Sequence, residues 1–525
     1  MKRLFFVILI WLFAQSAFAA TGVWYACDAN GTSDNLENPA TNITISGGVA
    51  TLTEQTGNIG AGMNITYDTD HHAYIAPNRL GFDAGKYEIE QGDKIEDATS
   101  GGTGIVRYVE IVSGSWAGND TAGYIYFEST EGTAFGNNNV INIVKPTAQS
   151  GAATVDGTIQ GNIGSGNTEF VVKAANGTDA SDYGPVAVDS IKADYGSLSA
   201  LEAGFEDSNH LNGSLTATDT VLFATCYTRG APDTTAMIID FTSSGADNYF
   251  QVFTPTGGAE SIASQRHDGK WDEEKCRLEV TGDDSLYIAE NYASVDGLQI
   301  SSDGDANDED CIYISSQTSS NEIKISNCIL KSLDVDGTYY CNGLHVYDTE
   351  ANLIAWNLIC YGFVKGLYSN GIRIHTCSTA KIYSSTIQNC RNGIDGQGGT
   401  IDVYNCAVFN NTDDFYHTAF DNISFCASDD GDGTHAVTPS NWSAVFVDYA
   451  NGNFHLKSTD TDLKDAGTDL SSEGLWRDID GDTRSGTWDI GADEHVSSGP
   501  PPTFCVPMFS TDGIHSLIFG GQVIK

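Results

Sequence analysis

From about Leu278 onward, apolar residues recur in short alternating runs, and the runs themselves recur. The segments "YASVDGLQI", "NEIKISNCIL", "NLIAWNLI", "AKIYSSTI", "TIDVYNCAVF" and "NISF" read as one strand type. Alternation of this kind predicts strands that turn one apolar face inward. With Val295, Ile325, Ile354, Ile382, Val403 and Ile423 taken as equivalent, the steps are 30, 29, 28, 21 and 20 residues. A second type follows in "CIYI", "GLHV", "GIRI" and "GID", where Ile312, Leu344, Ile372 and Ile394 are spaced by 32, 28 and 22 residues. Two phases that shorten together predict a solenoid. The expected fold class is all-β: a right-handed parallel β-helix whose coils stack apolar ladders along the axis. The tightest coils set the minimum length, so the longer coils carry excursions. These are "SSDGDANDED" (Ser301 to Asp310), "KSLDVDGTYYCN" (Lys331 to Asn342) and "CYGFVKGLYSN" (Cys360 to Asn370), which leave one corner and are expected to stack as the wall of a groove.

The rest of the chain fits around this solenoid. Residues 20–165 alternate in short runs broken by Gly, Asn and Asp, such as "NITISGGVATL" and "GYIYFES", which predicts small antiparallel β modules. The solenoid is assigned to residues 166–430, a closing segment to 431–496, and a linker with an apolar tail to 497–525. Ser199 and Glu202 form an S-x-x-E capping box, which predicts a short helical N-terminal cap on the solenoid. The first 19 residues read as a signal peptide: Lys2 and Arg3, an apolar run from Leu4 to Phe13, then Ala17-Phe18-Ala19. The run is too short for a membrane span, and no later stretch approaches one. The expected localisation is therefore secreted or extracellular.

Composition narrows the partners. The chain carries 70 Asp and Glu against 25 Lys and Arg, a formal charge of -45. That balance argues against nucleic acid and anionic membranes as partners. The twelve cysteines include no CxxC pair, which argues against a zinc site. Cys390 and Cys406 recur with the coil period, so they are expected to be core-stacking groups or a coil-to-coil disulfide.

The repeats resemble the pectate-lyase-like superfamily of right-handed β-helix proteins. The terminal "NGNFHL…DAGTDL…DIDGDTR…WDIGADE" is similar to the closing segment of exported or phage-associated β-helix repeat proteins, and "SLSALEAG…NYFQVFTPTGG…SQRHDGKWD…RLEV" to their first coils. The resemblance spans about Asp189 to Glu494 and implies an architecture, not an activity, because such a fold hosts enzymes, adhesins and spikes alike. Of the polygalacturonase-like signatures only "GIRIH" (Gly371 to His375) is faintly similar to the family's Arg-Ile-Lys, with His375 in place of Lys. The pectate-lyase Arg-x-Pro-x-x-Arg pattern is absent.

The candidate chemistry concentrates in the long loops. Asp303, Asp305, Asn307 and Glu309 offer oxygen ligands at alternate positions, suited to Ca²⁺; a solvated acidic loop is the competing reading. Asp334, Tyr339, Tyr340, Tyr361, Phe363 and Tyr368 combine aromatic faces with a carboxylate, the mix expected of a glycan groove; packing between loops is the competing reading. For cleavage, Asp310, Asp336 and Asp395 are candidate carboxylates one or more coils apart. Arg373, with His375 beside it, or Lys365 is the candidate base of a lyase. In "DIDGD" (Asp478 to Asp482), Arg477 and Arg484 are expected to pair with Asp478, Asp489 or Glu494 and hold the last coil. The expected function is binding of polysaccharide or cell-surface glycan by a surface or virion-associated protein. The alternatives are a polysaccharide lyase or glycosidase in the same groove, and a structural spike or adhesin assembling as a homotrimer or other homo-oligomer.

Overall fold

The computed structural model describes residues 20–496 apart from 30, 32–40, 54–57, 133, 145–148, 164–168, 207–212, 229, 242, 304–308, 316, 319–320, 334–339, 365–368 and 476, together with the backbone of Leu517–Phe519 and Gln522–Ile524. The chain is a parallel β-helix with two small antiparallel barrels at one end. Three parallel sheets form the solenoid: a first of nine strands and a second and a third of seven each. Within a coil the chain passes from the first sheet to the third, then through the long-loop corner to the second. The coil from Tyr292–Asp296 through Gln299–Ser302 to Ile312–Ile314 shows this order.

From Tyr292 onward the passage from first to third sheet turns on one residue, whereas the coil before it makes a long excursion between Phe253 and Arg277. Gly297, Asn327, Asn357, Ser384, Asn405 and Phe425 all have positive φ, between 43° and 81°, at successive bends. At Gly297 a Cβ would fall 2.3 Å from the Thr254 hydroxyl and 2.5 Å from Arg266, so glycine alone fits there. Asparagine tolerates this conformation and adds side-chain hydrogen bonds. Asn357 Nδ2 donates to Asn327 Oδ1 at 2.9 Å and to the Arg477 carbonyl at 2.8 Å, and its Oδ1 accepts from Arg484 at 3.2 Å. The residue after each bend turns inward: Leu298, Cys328, Leu358, Ser385, Cys406 and Cys426 are all buried.

Inward ladders follow the registers. Val295, Ile325, Ala355, Ile382, Val403 and Ile423 are successive partners, so coil spacing is 30, 30, 27, 21 and 20 residues. Ala355, not Ile354, takes the inward position; Leu353 and Ala355 alternate inward and Ile354 faces out. Ile312, Leu344, Ile372 and Ile394 stack as the sequence predicts. Each such buried aliphatic side chain contributes about 1.5–3 kcal/mol. The eleven cysteines among the described residues are buried free thiols, Cys390 and Cys406 included, so they pack in the core without a disulfide.

The N-terminal part is a nested insertion. Thr21–Asp28 is the first strand of the solenoid's first sheet and pairs in parallel with Thr220–Tyr227. One six-stranded barrel is built from residues 42–76 and 169–192, and a second, from residues 79–160, is inserted into it. The capping helix Leu198–Glu206 buries Leu198, Leu201 and Phe205 against the open end of the core. Its cap is Ser197, whose hydroxyl accepts from Ala200 N at 3.0 Å, so the helix begins before Ser199. Stacking of Trp24 on Phe223 at 3.8 Å ties the solenoid to the barrel ring Tyr126. Arg107 of the second barrel reaches into the solenoid, pairing with Glu260 at 2.7 Å and Asp296 at 3.0 Å.

The closing segment runs back along the solenoid. Trp442, Phe446, Phe454 and Ile490 pack on the outer face of the third sheet over Ile329, Ile359 and Phe409. Arg484 pairs with Glu494 at 3.3 Å, while Arg477 reaches Glu131 of the second barrel at 3.5 Å, not a neighbouring aspartate.

The bend asparagines generate a stability test. Asn357→Ala removes three hydrogen bonds and forces a Cβ residue without a polar side chain into the left-handed region, so we expect a loss of about 2–4 kcal/mol. Asn357→Gly loses the same bonds without the backbone penalty and falls about 1 kcal/mol short of that. Urea denaturation followed by tryptophan fluorescence measures both; equal losses would show that backbone conformation contributes nothing.

Candidate functional site

The outward positions of the second sheet form the most chemically varied surface on the solenoid. Register aligns Tyr287, Tyr313, His345, Arg373 and Asp395 on five successive strands. Parallel strands stand about 4.8 Å apart, so neighbouring side chains touch. The Tyr287 and Tyr313 rings stack at 5.3 Å and 26°, and Tyr313 meets His345 at 5.2 Å. Beside this ladder, Tyr347, 49 % exposed, stacks on His375 at 4.6 Å and 12°.

Buried acids orient the histidines. Asp310 begins an internal amide ladder: its Oδ1 accepts from Asn342 N at 2.8 Å and Asn342 Nδ2 at 2.7 Å, and Asn370 and Asn392 continue the ladder at 2.8 Å steps. Its other oxygen takes His345 Nδ1 at 2.7 Å. Since a carboxylate accepts, Nδ1 carries the proton and Nε2 of the neutral ring carries the lone pair. That Nε2 is buried without a hydrogen-bond partner, as is His375 Nδ1. Asp395 is fully buried; it accepts from Gln397 at 2.8 Å, meets His417 Nδ1 at 2.6 Å and lies 3.8 Å from Arg373 Nε. Burial, then the charges of Arg373 and His345, lowers the pKa of His375. Burial, then repulsion from Asp310, raises the carboxyl of Asp284 to about 7.

Of the residues singled out by sequence, Asp310, Arg373, His375 and Asp395 lie on or beside this face. Asp336, Asp334, Tyr339, Tyr368, Lys365, Asp305 and Asn307 lie outside the described residues. Phe363 is fully buried in the solenoid core, which removes it from any ligand surface. Tyr361 faces the closing segment and packs on Phe454 at 5.7 Å, and Tyr340 is half-buried. Glu309 is buried, and Asp303 Oδ1 accepts from Gly282 N at 3.4 Å. The sequence reading passed over His345, Tyr313 and Tyr287. Their signal was the strand register, which places "GLHV" one coil before "GIRI" and sets His345 next to Arg373.

Among the described residues, two side-chain groups have metal-ligand geometry, both in the closing segment: His455 with Asp480 and Asp493, and Asp478 with Asp480 and Asp482. His455 Nδ1 faces Asn453 Oδ1 at 2.7 Å and Nε2 faces Asp480 at 3.0 Å. The same carboxylates also staple the backbone. Asp478 accepts from Asp482 N and Glu494 N at 2.7 and 2.9 Å, and Asp493 accepts from Leu456 N at 2.7 Å.

No helix among the described residues is long and apolar enough to cross a membrane. No family model, curated protein or solved structure matches the chain.

The raised carboxyls fix a pH dependence. Burial lifts both Asp284 and Asp414 to about 7. Their unfolded counterparts titrate near 4, so between about pH 4 and 7 the folded chain holds the extra protons and stability falls as pH rises. Asp97 and Asp296, held below the ordinary range, lose their contribution only at lower pH; His267, lowered by burial to about 4, and His375, also lowered, act in the opposite sense below about pH 6.5 and reduce the fall without extending to pH 7. We expect the Tm at pH 5 to exceed that at pH 8, and Asp284→Asn to narrow the difference; calorimetry across the range measures both, and a Tm that rises toward pH 8 contradicts the assignment.

Proposed function

We propose that the outer face of the second sheet binds an extended polysaccharide. The observation that carries this reading is the outward ladder Tyr287, Tyr313, His345 and Arg373, one side chain per coil, with the buried Asp395 behind its last rung. Stacked tyrosine rings offer apolar faces to sugar C–H surfaces, and the polar rungs that follow offer donors and acceptors to hydroxyls. A repeating surface suits a repeating ligand. In this reading the chain is an exported, surface-displayed protein of the pectate-lyase-like type, and calcium on the loop of Asp303 and Glu309 belongs to the same proposal, tested by chelation.

A second reading, cleavage by elimination, rests on His345. Asp310 fixes its tautomer, which leaves Nε2 as a base beside the cationic Arg373. With a uronate polymer, Nε2 would take the proton α to the carboxylate, Arg373 would neutralise the developing charge, and the C4–O bond would break as the double bond forms, its oxygen taking a proton from water and leaving as a hydroxyl.

Both readings are tested on one panel of pectate, alginate, chondroitin, xylan and mixed-linkage glucan, scored for binding and for unsaturated product. We expect at least one polymer to bind, and Tyr287→Ala with Tyr313→Ala to weaken binding about tenfold. If cleavage occurs, His345→Gln reduces product release by about 100-fold or more while binding persists. A panel without any bound polymer overturns the first reading; release unchanged in His345→Gln overturns the second.

A further inference from the structure

A cavity lies on a different side of the molecule, where three parts of the chain meet. It holds about 160 Å³. Its floor is the outer face of the first sheet, with Ser294, Lys324, Ile354 and Trp356. One wall comes from the second barrel, with Gln91, Arg107 and Glu128; the other comes from the closing segment, with Glu473, Leu475 and Arg477.

The polar atoms around it are incompletely paired. Arg107 is 2 % exposed, and its Nη2 is buried with no hydrogen bond; the Nε of Arg477 is in the same position. Buried donors of this kind call for acceptors. The Glu128 carboxylate meets the guanidiniums of Arg107 and Arg266 at 3.4 and 3.7 Å, as ion pairs that leave Arg107 Nη2 without a hydrogen bond. Full charges, by contrast, are balanced within the protein. Arg107 pairs with Glu260 and Asp296, Lys324 with Glu322 at 2.6 Å, and Glu473 with Lys381 at 3.2 Å. A charged ligand would bring an unpaired charge against these balanced pairs and lose part of its hydration.

The occupant therefore presents acceptors to two guanidiniums, donors to a carboxylate, an apolar face to the Trp356 indole, and no net charge. Hydroxyl groups both donate and accept, and a pyranose ring combines several of them with a C–H face. The volume is below the roughly 300 Å³ at which drug-sized ligands are held, so one ring is the limit. We propose that this cavity binds a single neutral sugar residue, separate from the second-sheet face and independent of what that face does.

The test is saturation-transfer NMR on the full chain with glucose, galactose, mannose and N-acetylglucosamine, and with glucuronate as the charged comparison. At least one neutral sugar is expected to bind saturably. Glu128→Gln, which keeps the side-chain shape, is expected to weaken it about tenfold or more, as loss of a charge-assisted hydrogen bond does. Trp356→Phe is expected to weaken it less. Tm values of both variants close to the parent show that the fold is intact. Absence of saturable binding by every neutral sugar assigns the cavity to water and overturns the proposal. So does tighter binding of glucuronate than of glucose, or affinity unchanged in Glu128→Gln.

Discussion

The solenoid depends on a one-residue reversal. In the six coils from Tyr292 onward the chain must turn sharply enough between the first and third sheets to keep both strands stacked on their neighbours, and it does so at one left-handed residue. That conformation costs roughly 1–2 kcal/mol for an ordinary L-residue. Most of the bends meet the cost with glycine or asparagine, and the asparagines recover part of it through hydrogen bonds. Asn327 and Asn357 bond to each other, and Asn357 and Asn405 extend to the closing segment, where Asn405 Nδ2 reaches the Thr468 carbonyl at 2.8 Å. The bends are therefore also the anchor line of the closing segment. Phe425, at the last bend, makes no such amide contact; its ring stacks on His435 at 4.4 Å and 3°.

This geometry explains the recurring Asn-Cys dipeptides. In Asn327-Cys328 and Asn405-Cys406 the asparagine supplies the bend and the cysteine is the first residue inside it. A small apolar side chain suits that crowded corner. Burial pushes the Cys328 thiol up to about 12 and that of Cys406 well above its ordinary value, so neither is poised as a nucleophile. The repeat carries architecture.

Much of the solenoid was legible because its signal is periodic: inward Ile, Val and Leu columns repeat faster than chance permits. The misreading at Ile354 has a physical cause. Hydrophobicity alone favours Ile354 over Ala355, but strand alternation puts Ala355 inward and leaves Ile354 on the outer face, where it floors the cavity. The third sheet was hidden because a one-residue bend does not interrupt an apolar run, so "NEIKISNCIL" contains two strands and reads as one. The role of Thr21–Asp28 was not legible at all, since its partner begins at Thr220 and no local pattern encodes a pairing across two inserted barrels. For the site, Arg373 and His375 were visible from strand alternation, and Asp310 and Asp395 from the coil spacing of carboxylates. His345 gains meaning only from Asp310, 35 residues earlier, whose carboxylate orients its ring.

The junction of barrel, solenoid and closing segment obeys a different logic from the core. Arg107, Arg266, Glu260 and Asp296 are all nine-tenths buried, and Arg266 Nη2 bonds Asp296 directly. Removing these charges from water is expensive, and apolar residues of equal volume would stabilise the contact at least as well. What a charge network adds is direction. Arg107 bonds Glu260 at 2.7 Å and Asp296 at 3.0 Å, both on the solenoid side, and a barrel rotated out of register would strand its guanidinium. The contacts of Trp24 with Tyr126 and of Phe223 with Tyr108 of the second barrel supply the apolar attachment, and the ion pairs select one orientation of it. The closing segment then meets a surface whose shape is already fixed, through Arg477 to Glu131 and Leu475 to Trp356. A cavity bounded by three segments so far apart in sequence keeps its shape only because each boundary is held this way, and that is why it can be selective for a ligand as small as one ring.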